Sequence, residues 1–122
     1  MALDHASPWQ PIDLSPLGEA LRQSATHAIV KTHALELMRV VLRAGQAMPA
    51  HEVYGETTIL CIEGAVDVDG DGQRCRLQAG QLVLLPAQAR HRVQAVEDAS
   101  LLVTLQLPAG LPGSGSSTVG GR

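Results

Sequence analysis

The feature that most constrains this chain is a regular beat of short β-patterned runs, each closed by turn residues, from residue 28 to residue 107. Ala28–Thr32 and Leu35–Leu42 come first, and Ala44–Gly45 closes the second of them. Thr57–Ile62 is a continuous apolar-or-threonine run that ends at Glu63–Gly64. Ala65–Asp69 alternates, with Val66 and Val68 on one face and Asp67 and Asp69 on the other, the period of a half-buried strand. Asp69-Gly70-Asp71-Gly72 then supplies the residues that a tight hairpin needs for positive φ, and Gln73–Leu77 returns. Beyond the Ala79–Gly80 turn come Leu82–Leu85, stopped by Pro86, then His91–Val96 and Ser100–Leu107. Short strands at this spacing, with no helical pattern between them, predict an all-β antiparallel sandwich or barrel.

The flanks read differently. Residues 1–27 form an N-terminal extension, extended around Pro8 and Pro11. Ser15-Pro16 there predicts a helix N-cap and first-turn proline, followed by a turn or two through Glu19, Leu21 and Arg22. Residues 108–122 are rich in Gly, Ser and Pro without a stripe that could pack, which predicts a flexible tail. The 122 residues therefore hold one domain, the strand-patterned stretch 28–107, and no internal repeat. Trp9 and Tyr54 are the aromatics and there is no Phe, so the core must be aliphatic.

Charge and composition exclude several function classes. Nine Lys and Arg against twelve Asp and Glu give a net charge of −3, and Lys31 is the one lysine. Nucleic-acid binding needs clustered cations, which this chain lacks. No apolar run approaches the roughly 20 residues that cross a bilayer, so no membrane partner is expected. Met1–Pro8 carries Asp4 and His5 rather than a charged start before an apolar block, so no signal peptide is expected. Cys61 and Cys75 are too few for a disulfide framework and read as buried apolar residues in a reduced, cytoplasmic protein.

Two motif fragments mislead. Asp67-x-Asp69-x-Asp71-Gly72 copies half of a calcium loop, but Gln78 stands at its twelfth position and the flanks alternate like strands. His51-Glu52 starts a zinc-protease motif, yet Gly55 stands where the second histidine belongs. Neither chemistry follows.

A third pattern does cover the strand region. Gly45, His51 and Gly64, followed by Gly80, Pro86 and His91, resemble the two motifs of the cupin superfamily at family spacing: Gly-x5-His-x-His-x3-Glu-x6-Gly, then Gly-x5-Pro-x-Gly-x2-His-x3-Asn. The resemblance implies a single-domain double-stranded β-helix, the jelly-roll barrel. It also implies a homodimer, an arrangement that would cover sheet edges. In metal-dependent members, two histidines and a carboxylate of the first motif and a histidine of the second hold a divalent ion. Carried over by position, His51 and His91 remain, whereas Val53 replaces the second histidine and Thr57 the glutamate. Gln88 stands at the second motif's inner glycine and Ala95 at its asparagine.

Two imidazoles alone make a weak site for Zn, Mn, Fe or Ni. Strand alternation turns Glu56 away, and Cys61 lies about 13 Å deeper along an extended strand than Thr57. The leading expectation is a small-molecule-binding barrel with no tightly held metal. Its pocket would be lined by His51, Val53, Thr57, Ile59, Cys61, His91 and Val93. The alternative is a metal-dependent enzyme of dioxygenase or isomerase type, with His51 and His91 as ligands and a third from Glu52, Tyr54 or Glu56. An empty sensor or assembly module is disfavoured, because unpaired buried imidazoles cost free energy. Arg39, Arg74 and Arg76 are expected on solvated strand faces, and His5, His27 and His33 at the surface.

Overall fold

The computed structural model describes residues 5–108, the side chains of 49–52 excepted, so the start and most of the expected tail lie outside the described residues. Among the described residues the patterned runs become nine strands. These are β1 (His27–Lys31), β2 (Leu35–Leu42), β3 (Ala47–Glu52), β4 (Thr57–Glu63), β5 (Ala65–Gly70), β6 (Gln73–Gln78), β7 (Leu82–Leu85), β8 (Arg90–Ala95) and β9 (Ala99–Gln106). They pair antiparallel in two sheets, ordered β1-β2-β9-β4-β7 and β3-β8-β5-β6. This is the jelly-roll that the strand spacing and the motif resemblance predict.

Strand β3 is the one element the hydrophobic pattern does not announce. Met48-Pro49-Ala50 has no alternation, and a proline cannot donate to the ladder, so it sits at an edge or a bulge. Both hold here: β3 ends its sheet, and its register against β8 shifts between Met48 and His51. The pairing resumes with His51 opposite His91.

Each sheet turns an aliphatic face inward. Val40, Leu42, Ile59, Cys61, Leu101 and Val103 meet Val66, Val68, Leu77, Val93 and Ala95 across the barrel. The hairpin between β5 and β6 turns on Asp71-Gly72, with φ of 50° and 76°, the doubly positive geometry that matches strand twist. Between β4 and β5 the chain turns on Gly64 at φ 82°, where a Cβ would lie 2.1 Å from the Asp98 carbonyl oxygen. Only glycine fits that position.

The N-terminal segment is stitched to the outer face of the five-stranded sheet. Ala6 N–H donates to Ile29 O at 2.8 Å along β1. A 3₁₀ turn follows over Gly18–Gln23, anchored by buried Leu21. Its N-cap is Leu17, which corrects the expectation that Ser15 caps it. Ser15 instead donates its hydroxyl to Asp13 Oδ1 at 2.6 Å, and the cap is supplied by a distant carboxylate, Glu63. Arg39 is a second correction: it lies beneath this segment, 6% exposed, rather than on a solvated face. His27 is half-buried beside it, whereas His5 and His33 are exposed as expected. Arg74 and Arg76 are exposed and face Asp69 and Asp67 across the hairpin. No helix among the described residues is long and apolar enough to cross a membrane.

Candidate functional site: the barrel mouth

The turn joining β6 to β7 is tied to the middle of the neighbouring strand: Gly80 N–H donates to Cys61 O at 2.8 Å and Cys61 N–H to Gln81 O at 2.9 Å. From that fixed point the two strands run in different sheets. Their far ends, Gln73–Cys75 and Val83–Leu85, border a cavity of about 300 Å³. Val68, Pro86 and Ala89 add apolar wall, and His91 adds an imidazole. The floor is closed because β5 and β8 approach tightly: a Cβ on Gly70 would meet the backbone of Arg90 and His91. Gln73 and Cys75, a carboxamide and a thiol, alternate onto the β6 face of buried Leu77, Gln73 exposed and Cys75 half-buried.

His91 is 4% exposed, and its Nδ1–H donates weakly to Ala89 O at 3.4 Å. Its backbone sits directly opposite that of His51 on the adjacent strand. The other expected pocket residues take different places. Val53 is half-buried just past the end of β3. Thr57 starts β4 opposite Leu85, a cavity residue, and is 1% exposed. Its Oγ1 has no hydrogen-bond partner among the described residues. Ile59, Cys61 and Val93 belong to the hydrophobic core one or more rungs deeper. Burial pushes the Cys61 thiol up from its ordinary value, and it donates weakly to Glu63 O and Gly64 O. A thiol so placed is no nucleophile.

Of the pocket residues expected from the sequence, His91 borders this cavity, and the β5–β6 hairpin tip and β7 border it as well. One local signal was present: the doubly glycine-marked turn after Asp69 places its strand ends at the same barrel end as the motif histidine.

Two of the four family ligand positions, Val53 and Thr57, carry no strong metal donor. At the two family ligand positions other than the histidines, valine has no donor and the threonine hydroxyl is neutral and weak. Tyr54 and Glu56 are exposed, and among the described residues no group of three or more His, Cys, Asp or Glu gathers around a point.

Residues 38–105, more than half of the chain, match the family described as a cupin domain, Cupin_2. The chain belongs to this cupin family. A curated relative, the polyketide synthase CurC of Streptomyces cyaneus, is 34% identical over 59 residues, which are 48% of this cupin and 38% of that protein. This cupin therefore spans well under half the length of that relative. The crystal structure of the conserved SPY1581 protein of unknown function from Streptococcus pyogenes superposes with a TM-score of 0.70 at 19% identity, covering 90% of this cupin and all of that chain. An RmlC-like cupin family protein with a double-stranded β-helix fold from Methanocaldococcus jannaschii gives 0.63 at 19% identity, over 68% of this cupin and 79% of that chain. At such identities these structures bear on the fold alone.

Proposed function

We propose that this cupin binds a small organic molecule in the mouth cavity without a tightly held metal. The observation that carries the reading is the cavity of about 300 Å³ between the ends of β6 and β7, beside a buried histidine. Apolar walls from Val68, Val83, Leu85 and Ala89, with convergent polar groups on His91, Gln73 and Cys75, have the make-up of a ligand site. The unpartnered Thr57 hydroxyl, which starts β4 opposite Leu85, supports a ligand that brings a hydrogen-bonding group to this end of the barrel. The partial likeness to a protein named a polyketide synthase supports oxygenated carbon skeletons as the first compounds to try.

The test is ligand-observed NMR with a panel of small phenols and keto acids, run first without and then with EDTA. Binders should compete for one site and be lost in Val83→Trp, which fills the cavity. Binding that disappears on adding EDTA instead favours the second reading, a metal-dependent enzyme of dioxygenase or isomerase type. The pairing of His51 with His91 across β3 and β8 is the observation that supports that reading. Element analysis of protein purified without added metal separates the two.

A further inference from the structure

The outer face of the five-stranded sheet carries a second, unrelated cavity. His27 and Arg39 face each other in register across β1 and β2, and the N-terminal segment passes over them. Between segment and sheet lies a groove of about 220 Å³, lined by Leu17, Ser24, Ala25, His27, Arg39 and Val41. None of these residues borders the barrel mouth.

Arg39 puts a buried cation in this groove. Arg39 is 6% exposed, yet it takes part in no ion pair among the described residues. Its Nη2 donates to the carbonyl oxygens of Ser15 at 2.6 Å and Leu14 at 3.3 Å. Its Nε–H is closed off from solvent and meets no acceptor. A buried cation held by carbonyl dipoles, with one donor idle, is costlier than one paired with an anion. The neighbouring carboxylates do not fill the role. Glu63 is engaged by Ser100, Leu17 and Gly18, and Asp13 by Ser15. Opposite Arg39, His27 Nδ1–H donates to Ala25 O at 3.0 Å, which leaves Nε2 for another partner.

We propose that this groove is a binding site for a small aliphatic monocarboxylate. A turn of the guanidinium out of its contacts with Ser15 and Leu14 would offer Nε–H and an Nη–H together, the fork that matches a planar carboxylate. His27 flanks the anion, and a short hydrocarbon body lies against Leu17, Ala25 and Val41. Glu63 and Asp13, close enough to feel the Arg39 charge, disfavour a dianion such as phosphate. Because one wall is the N-terminal segment and the other the sheet, an occupant also ties the two together.

The test is a titration of ¹⁵N-labelled protein with sodium butyrate at constant ionic strength, with sodium chloride and sodium phosphate as comparisons. Butyrate should cause saturable shifts at the Ala25 and His27 amides and at the Arg39 Nε–H, leaving the amides of Gln73, Cys75 and Val83 in place. Ala25→Glu, at an exposed wall position, puts a competing carboxylate into the groove and should abolish saturation. His27→Ala, which removes one wall of the groove, should weaken binding. Neither variant removes the buried Arg39, so both keep the fold. Shifts that chloride reproduces, or that persist unchanged in Ala25→Glu, overturn the proposal. Tighter binding of phosphate than of butyrate overturns the monocarboxylate class.

Discussion

The Glu63 carboxylate accepts the Leu17 N–H at 2.8 Å, 46 residues away in the chain, and so caps a turn that has no cap of its own. It also accepts the Gly18 N–H at 3.1 Å and the Ser100 hydroxyl. Burial pushes its pKa up, but the hydrogen bonds from Ser100, Leu17 and Gly18 and the Arg39 charge together hold it below its ordinary value of 4.5. A carboxyl whose folded pKa is depressed stabilises the fold above its unfolded pKa, and that contribution is lost as pH falls through the folded value. Wild type should therefore lose stability on going from about pH 5 towards pH 3 faster than Glu63→Gln does. Asp13, Asp67 and Asp98 are also depressed, but they are common to both proteins and cancel in the difference. At neutral pH the substitution should cost about 1–3 kcal/mol, as charge-assisted bonds become neutral or are lost. Parallel pH profiles of urea midpoints for the two proteins would sink this account of the cap.

Gln88 offers a second check, this time on the loop that delivers His91. Its φ is 64°, in the left-handed region, at the position where the second cupin motif carries glycine. A side chain there costs about 1–2 kcal/mol, from which the greater unfolded entropy of glycine subtracts roughly half. Gln88→Gly should therefore raise stability by about 0.5–1 kcal/mol, read as a higher denaturant midpoint at unchanged slope. A lower midpoint would mean that the glutamine side chain contributes a contact larger than its strain.

Thr57 yields a prediction of the opposite kind, a polar atom whose removal helps. Its hydroxyl is buried without a partner, and valine has nearly the same shape. Thr57→Val should leave the empty protein as stable or more so, by up to about 1–3 kcal/mol, the cost of an unmet buried polar group. Under the proposed function the same change weakens binding of any ligand found by the NMR panel. A clear loss of melting temperature would show that Thr57 is bonded in solution and is no reserved contact.

How far the sequence disclosed these features depends on the range of the interactions. Period-two runs and glycine turns are local, so eight strands and the β5–β6 hairpin were legible within a residue or so at each end. β3 was not, because Pro49 breaks its ladder and Met48-Pro49-Ala50 has no alternation to read. Arg39 alternates with half-buried Met38 and buried Val40, which marks it as facing away from the barrel. What covers that outer face is the segment around Leu14–Ser15, about 25 residues earlier, and no strand pattern encodes it. The Leu17 cap is invisible for the same reason. At the mouth, spacing picks out His91, but the other walls come from β6 and β7, which lie in different sheets and meet only through the fold.

The family register itself can be tested by restoring what this chain lacks. If Val53 and Thr57 occupy the positions of the second histidine and the carboxylate, the scaffold still aims them at the point shared by His51 and His91. Thr57 fits that role: it is buried at the start of β4, opposite the cavity residue Leu85. The backbones of His51 and His91 are already opposite one another. Val53→His with Thr57→Glu would then surround one point with three imidazoles and a carboxylate, enough for a divalent first-row ion with room for water. The double variant should bind Mn, Fe, Ni or Zn about tenfold or more tightly than the parent, a gain of at least 1.4 kcal/mol. It should also be less stable until metal is added, because the new carboxylate and imidazole lack partners in the empty protein. Calorimetric titration of both proteins with the same ion decides the matter. Equal affinities in a folded variant would mean that Val53 and Thr57 do not face the two histidines, or that the parent already completes a site from Glu52, Tyr54 or Glu56.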